Sequence, residues 1–540
     1  MAARSGTTPL VRTCLRLLGF GVAGLAQALS IAAPWNGQPL WWLQILSLAA
    51  LVWQLERLRT AEHPAPVRSA FLHGWLFTTS WLCGTFWWLF ISMHTYGGMP
   101  APMAAAAVLA LAAALALYYA LACALFVRWG SRSRWGAAAL FVALWTLGEL
   151  LRGSWFTGFP WGAGGYAHVD GPLSAYIPWL GVYGVGAVSA GIGALLALAA
   201  HTFVTATEPK RTAPWAAPTA VAVGLLFVPA ALVALRGAPD DASGARGTLQ
   251  VELLQGNIPQ DEKFVPGGGV ATALQWYGQR LQDARAPLVI TPETAIPLLP
   301  SQLPPGYLDA IAARYANGNQ AAIVGIPVGS RGQGYSNAVI GYRPGVAPYQ
   351  YDKHHLVPFG EFVPRMFRWF TEMMNIPLGD FRSGGLAQAP FVWQGQRIAP
   401  NICYEDLFGD EIGANFRDAA NAPTVLLNVS NIAWFGDSVA IDQHLAISRM
   451  RALEFARPMV RSTNTGATVV IDHRGRVTHQ LPRLTRGVLT ADVEGRSGIT
   501  PYAWWVSRFG LWPLWAVSLL TVGIAGALAG RNRRQRGTGR

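Results

Sequence analysis

Eight apolar runs, each close to the length of a bilayer crossing, constrain this 540-residue chain more than any other feature. They lie at about 13–33, 40–55, 70–93, 103–127, 135–151, 177–204 and 214–235, with the last at about 511–529 after a long polar stretch. The first lacks a small-residue cleavage site and further runs follow it, so it reads as a retained anchor, not a secretory signal. Only 13% of residues are charged, where soluble domains carry about 25%. An ordinary soluble globule is excluded, and the 23 Trp exclude a disordered chain.

The 41 Lys+Arg exceed the 28 Asp+Glu by 13, which suits either nucleic acid or a membrane surface until the charges are placed. Arg4, Arg12 and Arg16 precede the first run, and Arg57, Arg59 and Arg68 separate the second from the third. Arg128, Arg132 and Arg134, then Lys210 and Arg211, follow at alternate loops, and Arg531, Arg533, Arg534, Arg536 and Arg540 end the chain. The intervening loops 34–39 and 94–102 carry no basic residue. This positive-inside pattern puts both termini in the cytoplasm and the long polar stretch across the inner membrane, in a bacterial periplasm. The basic excess is thus topological, and nucleic acid is not an expected partner. Three domains are expected: transmembrane at 1–235 with about seven helices, periplasmic at 236–500, and a final helix with a basic tail at 501–540. Glu149 and Arg152, three apart on one helix, read either as a functional pair at membrane depth or as a snorkelling interfacial pair.

Residues 245–497 alternate short apolar strands with helices. Strands are expected at Leu249–Gln255, Leu288–Thr291, Ala321–Ile326, Arg397–Cys403, Thr424–Val429, Thr468–Ile471 and Val488–Val493. Helices are expected at Gly269–Ala284, Tyr307–Ala316 and Ser438–Phe455. The pattern predicts an α/β domain, whose ligands bind beyond the carboxyl ends of strands. Glu293 and Cys403 both follow such ends. Gly267–Gly269 has no strand before it, so it reads as a flexible loop, not a phosphate cradle.

Of the four cysteines, Cys14, Cys83 and Cys123 lie in apolar runs, which leaves Cys403 as the one in a polar setting. No spacing suits zinc, and no metal or other cofactor is expected. A cysteine nucleophile needs a base or cation; His354, His355 and His444 are available, though none lies within ten residues of Cys403. Lys353 is one of only three lysines, with Lys210 and Lys263, and reads as either catalytic or surface-solvated. Glu293 reads as a raised-pKa base or as an N-cap.

In order, Thr-Pro-Glu293-Thr-Ala, Tyr-Asp-Lys353-His-His-Leu-Val-Pro-Phe-Gly-Glu361 and Ile-Cys403-Tyr-Glu405 resemble the carbon–nitrogen hydrolase (nitrilase) superfamily. The segments His94–Pro100, Gly158–Trp161, Leu254–Gln260, Asn428–Gly436 and Met450–Pro458, with the seven-plus-one layout, narrow this. The chain resembles the membrane-bound apolipoprotein N-acyltransferase branch along nearly its whole length. The resemblance implies a multi-pass helical domain joined to an αββα sandwich. It implies Glu293 as general base, Lys353 as oxyanion stabiliser and Cys403 as nucleophile, with Glu361, Tyr404, Glu405 and Asn337 in support. Phe264 stands where the family usually has Trp, and Ile432 where it often has Asp.

The expected reaction moves an acyl chain from a phospholipid through a Cys403 thioester to the N-terminal amine of a diacylated apolipoprotein. Aromatic loops near Trp369, Phe370, Trp434 and Phe435 are expected to enter the membrane interface as lids. Two other readings stay open: a membrane-anchored amidase that uses water, and a non-enzymatic receptor or transporter.

Overall fold

The computed structural model describes residues 9–60, 63–131, 133–205, 213–235, 244–330, 332, 334–363 and 381–537. Arg4, Arg132, Lys210, Arg211 and Arg540, and the lid residues Trp369 and Phe370, lie outside the described residues. The chain divides into two compact units. One comprises Met1–Trp87, Ala105–Gly237 and Leu511–Arg540; the other comprises Trp88–Ala104 and Ala238–Gly510.

The first unit is helical because its apolar runs leave backbone amides and carbonyls to satisfy one another within each segment, as lipid requires. Among the described residues five helices are long and apolar enough to cross a membrane: Ala101–Trp129, Arg134–Thr157, Pro172–Thr205, Ala216–Leu235 and Trp512–Arg531. The helix pair Pro66–Phe86 and Leu89–Tyr96 makes a sixth if counted as one broken span. Of the remaining expected runs, Leu17–Leu29 is a shorter apolar helix, and Trp41–Thr60 ends in the charged Glu56, Arg57 and Arg59.

Arg152 does not snorkel. It is 1% exposed within its unit. It donates to Glu149 Oε2 at 3.2 Å, to the Tyr119 hydroxyl at 3.0 Å, and to the Phe159 and Trp161 carbonyls at 2.7 Å each. The pair therefore anchors the loop that leaves its own helix, Arg134–Ser154, by capping carbonyls that the helix itself cannot reach.

The second unit holds two six-stranded sheets. In chain order the first six strands are β1 (Ala245–Gln255), β2 (Leu288–Ile290), β3 (Ala321–Ser330), β4 (Gly334–Tyr342), β5 (Tyr349–Asp352) and β6 (Phe391–Trp393). The rest are β7 (Gln396–Ile402), β8 (Val425–Ser430), β9 (Met459–Thr463), β10 (Val469–Ile471), β11 (Val477–Gln480) and β12 (Gly487–Arg496). One sheet runs β12-β1-β2-β3-β4-β5 and the other β11-β10-β9-β8-β7-β6.

Strand alternation sends Leu249, Val251 and Leu253 of β1 inward to meet Ile398, Leu427, Val429 and Val460 of the facing sheet in one buried core. On the outer face of the first sheet, Val289, Ala322 and Val324 pack on Tyr277 and Leu281 of the helix Gly269–Asp283 and Ile311 of the helix Tyr307–Ala316. The helix Ala440–Phe455, packed against β9, completes an α-β-β-α sandwich.

Topology decides where a site can form. β1, β2 and β3 are parallel, and β5, reached through two antiparallel steps, points the same way. β7, β8 and β9 are parallel in the other sheet. The Ser462 hydroxyl of β9 lies 3.2 Å from both the Leu254 and the Ile290 carbonyl oxygens, so the carboxyl ends of the two sheets converge.

Candidate active site

Glu293, Lys353 and Cys403 each leave the carboxyl end of a strand at that convergence. Glu293 follows β2, Lys353 follows β5 and Cys403 follows β7. Asn337 projects from within β4. Cys403 has φ +54° and Thr294, next to Glu293, has φ +50°. Non-glycine residues with such angles carry strain of order 1–3 kcal/mol and persist only where surrounding bonds over-determine them. Those bonds are present. The Cys403 carbonyl accepts from Asn428 Nδ2 at 3.2 Å, and the Ile402 amide is held by Glu405 Oε2 at 2.5 Å. Beneath the Glu293 turn β3 carries Gly325, where a Cβ would fall 2.1 Å from the Pro292 carbonyl and 2.9 Å from the Thr294 amide.

The Glu293 and Glu361 carboxylates share the interior with the Lys353 ammonium group. Lys353 is 1% exposed, which rules out the surface-lysine reading. Its Nζ lies 2.9 Å from Glu361 Oε1 and 3.5 Å from Glu293 Oε1. Asn337 Nδ2 bridges the same two acids, at 2.7 Å to Glu293 Oε1 and 2.8 Å to Glu361 Oε1. The other Glu293 oxygen accepts from the Asn431 amide at 2.8 Å. Glu293 thus takes its bonds from across the site and is not an N-cap for its own segment.

Burial drives the Glu293 carboxyl upward, but Lys353, Lys263 and the bonds from Asn337 and Asn431 outweigh it and hold the group below its ordinary range. The raised pKa expected from the sequence is therefore reversed in sign. Burial likewise acts against the Lys353 ammonium, and Glu361, Glu293 and Cys403 override it, so the group stays charged. Burial, then the Glu293 charge, pushes the Cys403 thiol up to about 12. At rest the proton is on sulfur and the carboxylate is ionised. The site holds a thiol with an ionised carboxylate near it, not a stored thiolate.

The histidines do not complete a Cys–His pair. His354 Nδ1 meets the Gly384 carbonyl at 2.8 Å, and His355 Nδ1 meets Glu411 Oε1 at 2.8 Å while its ring stacks on Phe408. His444 Nε2 lies 2.8 Å from Asp406 Oδ1 and 3.2 Å from the Cys403 carbonyl oxygen.

Glu405 is buried as a hub. It accepts from Tyr351 and from the His354 and His355 amides besides Ile402, which ties the cysteine turn to the segment that carries Lys353. Tyr404 is buried against His355 and Phe408. Phe264 and Trp434 are exposed at 52% and 39%. Phe435 instead packs on Trp88, ring centres 4.2 Å apart, and Ile432 is buried. Sequence reasoning missed Lys263, Asn431 and Asn464. For Lys263 the signal was present: lysine is rare in this chain, and two of its three lysines are at this site. Among the described residues no group of three or more His, Cys, Asp or Glu is arranged to hold a metal ion.

Comparison with known proteins bears on both units. The apolipoprotein N-acyltransferase N-terminal domain matches residues 23–195, and the carbon-nitrogen hydrolase domain matches 254–502. A protein of Verminephrobacter eiseniae named apolipoprotein N-acyltransferase is 59% identical over 501 residues, covering 91% of this chain and 92% of its own length. One of that name from Ralstonia nicotianae is 47% identical over 514 residues, covering 91% and 90%. One from Nitrosomonas europaea is 37% identical over 498 residues, covering 90% and 93%. Agreement in both halves, at this identity and over nearly the full length of each relative, shows that this membrane chain with a nitrilase-like sandwich belongs to the apolipoprotein N-acyltransferase family.

Proposed function

We propose that this protein N-acylates lipoproteins by carrying a phospholipid acyl chain on Cys403. The observation that supports this best is the meeting of Glu293, Lys353 and the Cys403 turn at the converging strand ends, in a chain whose relatives are N-acyltransferases by name. That naming does not favour the water-using amidase or the non-enzymatic receptor.

In the proposed first half-reaction Cys403 Sγ attacks the ester carbonyl while Glu293 takes the thiol proton. The proton moves during attack because the thiol is too weak an acid to release it beforehand. Lys353 Nζ faces the oxyanion, with amides of the cysteine turn; one such donor is worth about 3–4 kcal/mol. The carbon–oxygen bond then breaks, Glu293 returns its proton to the departing alkoxide, and lysophospholipid leaves a thioester behind. In the second half the neutral N-terminal amine of a diacylglyceryl-cysteine attacks the thioester. Glu293 takes one amine proton and passes it to the leaving sulfur, so the cycle closes with no net proton change. An α-amine with pKa near 8 supplies enough of its neutral form at neutral pH. Asn337 and Glu361 set Lys353 and Glu293 at their separation, and Glu405 with Tyr404 holds the cysteine turn.

Both substrates are anchored in lipid, which explains the fusion of this sandwich to membrane helices. The arginine distribution supports an inner-membrane setting with the sandwich on the periplasmic side. The test is direct. Incubated with phospholipid alone, the intact protein gains one acyl mass that hydroxylamine removes, and Cys403→Ala gains none. Steady release of free fatty acid with no N-acylated product on adding a diacylated peptide would turn the reading to the amidase.

A further inference from the structure

The mechanism above leaves the buried Lys263 unused. Lys263 lies in the loop between β1 and the helix Gly269–Asp283 and is only 2% exposed. Its Nζ donates to the main-chain carbonyl of Glu293 at 3.3 Å. Desolvating an ammonium group costs several kcal/mol; one bond to a neutral carbonyl and the edge-of-range contact with the Phe264 ring, 5.9 Å away, are poor compensation, and an amide side chain would make the bond at less cost. The charge itself therefore needs a reason.

The loop is built to hold this lysine still. Gln260 Oε1 accepts from Asn431 Nδ2 at 2.8 Å, and Asn431 Oδ1 accepts from Asn464 Nδ2 at 3.0 Å. Asn464 also bonds both the amide and the carbonyl of Ile258, at 3.0 and 2.8 Å. The same Asn431 gives its amide to Glu293 Oε2, so one asparagine registers the lysine loop against the base. Gly269 opens the following helix directly on the lysine backbone. A Cβ there would fall 2.4 Å from the Glu262 carbonyl and 2.9 Å from Lys263 Cα. The glycine run that reads as a flexible loop is, at Gly269, a close-packing device.

The charges complete the argument. Glu293 and Glu361 are two buried acids, and the one ammonium group of Lys353 is shared between both, at 3.5 and 2.9 Å. The groups facing Lys263 across the site are Glu293 and Cys403, while Asp261 and Glu262 on its own loop are exposed. We propose that Lys263 is a positioning residue of the acyl-transfer site, a second ammonium that clamps the strained Glu293 turn and balances its carboxylate. This rests on the thioester reading above for its kinetic consequence, and on geometry for the rest. Held by two ammonium groups, Glu293 stays ionised at rest, and once protonated it is a strong enough acid to deliver its proton to the departing alkoxide. Burial also brings Lys263 down to about 8, so the clamp weakens on the alkaline side.

The experiment follows single-turnover release of lysophospholipid from detergent-dispersed phospholipid, with no acceptor amine, between about pH 4 and 9. Lys263→Gln keeps a donor for the Glu293 carbonyl but no charge, Lys263→Met removes both, and Lys263→Arg keeps the charge. The acidic limb belongs to Glu293. Loss of a neighbouring cation moves it upward by about one pH unit or more, in Lys263→Gln and Lys263→Met alike, while Lys263→Arg stays with the wild type. A limb that does not move in Lys263→Gln, with a uniform loss of rate at all pH values, would make the lysine merely structural and overturn the proposal. So would a shift of equal size in Lys263→Arg. Alkylation of Cys403 by iodoacetamide, followed by peptide mass, gives a second measurement that needs no acyl chemistry. At a fixed pH near 8 it slows in Lys263→Gln because the thiol loses a stabilising cation, and an unchanged rate contradicts the proposal. If wild-type enzyme forms no acyl adduct while alkylation still slows, the thioester reading fails and the charge clamp stands.

Discussion

Asn337 shows how much of this site's chemistry rests on a neutral residue. One Nδ2 group donates to two carboxylates that would otherwise repel across the interior. A hydrogen bond to a charged partner contributes roughly 1.5–3 kcal/mol, so Asn337→Ala is expected to slow acyl-enzyme formation by about ten- to hundredfold. The pH dependence has a definite sign. The bond favours ionised Glu293, so removing it raises the Glu293 pKa and the loss deepens as pH falls. Adduct formation measured at pH 7 and pH 5 checks this, and an equal loss at both would mean that Asn337 acts on Glu361 and Lys353 alone. Residues of this kind mark the limit of reading a site from sequence. Glu293, Lys353 and Cys403 could be proposed from sequence because each stands in a short motif beside a strand end. Lys263, Asn431 and Asn464 act through contacts between segments some 30 to 200 residues apart, and no local pattern announces such contacts. The direction of the Glu293 shift was misread for the same reason. Burial was foreseeable from the preceding apolar strand, but the convergence of Lys353, Lys263, Asn337 and Asn431 that together reverse it was not.

At the scale of elements, most long apolar strands and the helices between them were legible from their periodicity. β4, β5, β6, β9 and β11 were not. Gly334–Tyr342 carries two glycines and a Ser-Asn pair, and β5, β6 and β11 have only three or four residues each, so antiparallel pairing to a neighbour makes them strands where local propensity does not. The turn Ile432–Phe435 divides its two aromatics by role. Phe435 is half-buried and packs on Trp88, whose indole donates to Gln443 at 3.0 Å. Trp434 touches the Tyr96 ring edge-on but remains 39% exposed. Trp434 is therefore the cleaner probe of a lid that enters the membrane interface, because its replacement leaves the packed core intact. Trp434→Ser is expected to lower acyl transfer several-fold more in phospholipid vesicles than in detergent micelles, since an indole at the headgroup level anchors only where a bilayer exists. Matching losses in the two media would place Trp434 in substrate contact or folding instead.

Across the whole molecule, the division between lipid and water was legible because it depends on composition summed over long windows, which local irregularity hardly disturbs. Its finer grain was not. Residues 89–93 fall inside an apolar run, yet Trp88–Ala104 belongs to the α/β unit, where Trp88 and Tyr96 meet the 432–435 turn. Hydropathy measures the cost of leaving water and does not distinguish lipid from a protein surface as the place a segment goes. Orientation rests on charge alone. Each Lys or Arg near an anionic cytoplasmic leaflet contributes about 1 kcal/mol, and every basic cluster flanking a run lies on the same set of alternate loops. Asn36 and Ser133 are both exposed, the first in a loop without basic residues and the second in one flanked by Arg128 and Arg134. In a Cys403→Ala background, Asn36→Cys should react with a membrane-impermeant maleimide in spheroplasts, and Ser133→Cys only after the membrane is opened. Reversed labelling would put the sandwich in the cytoplasm, away from the amine of a translocated lipoprotein. That result would remove the acceptor from the proposed reaction while leaving acylation of Cys403 by phospholipid intact.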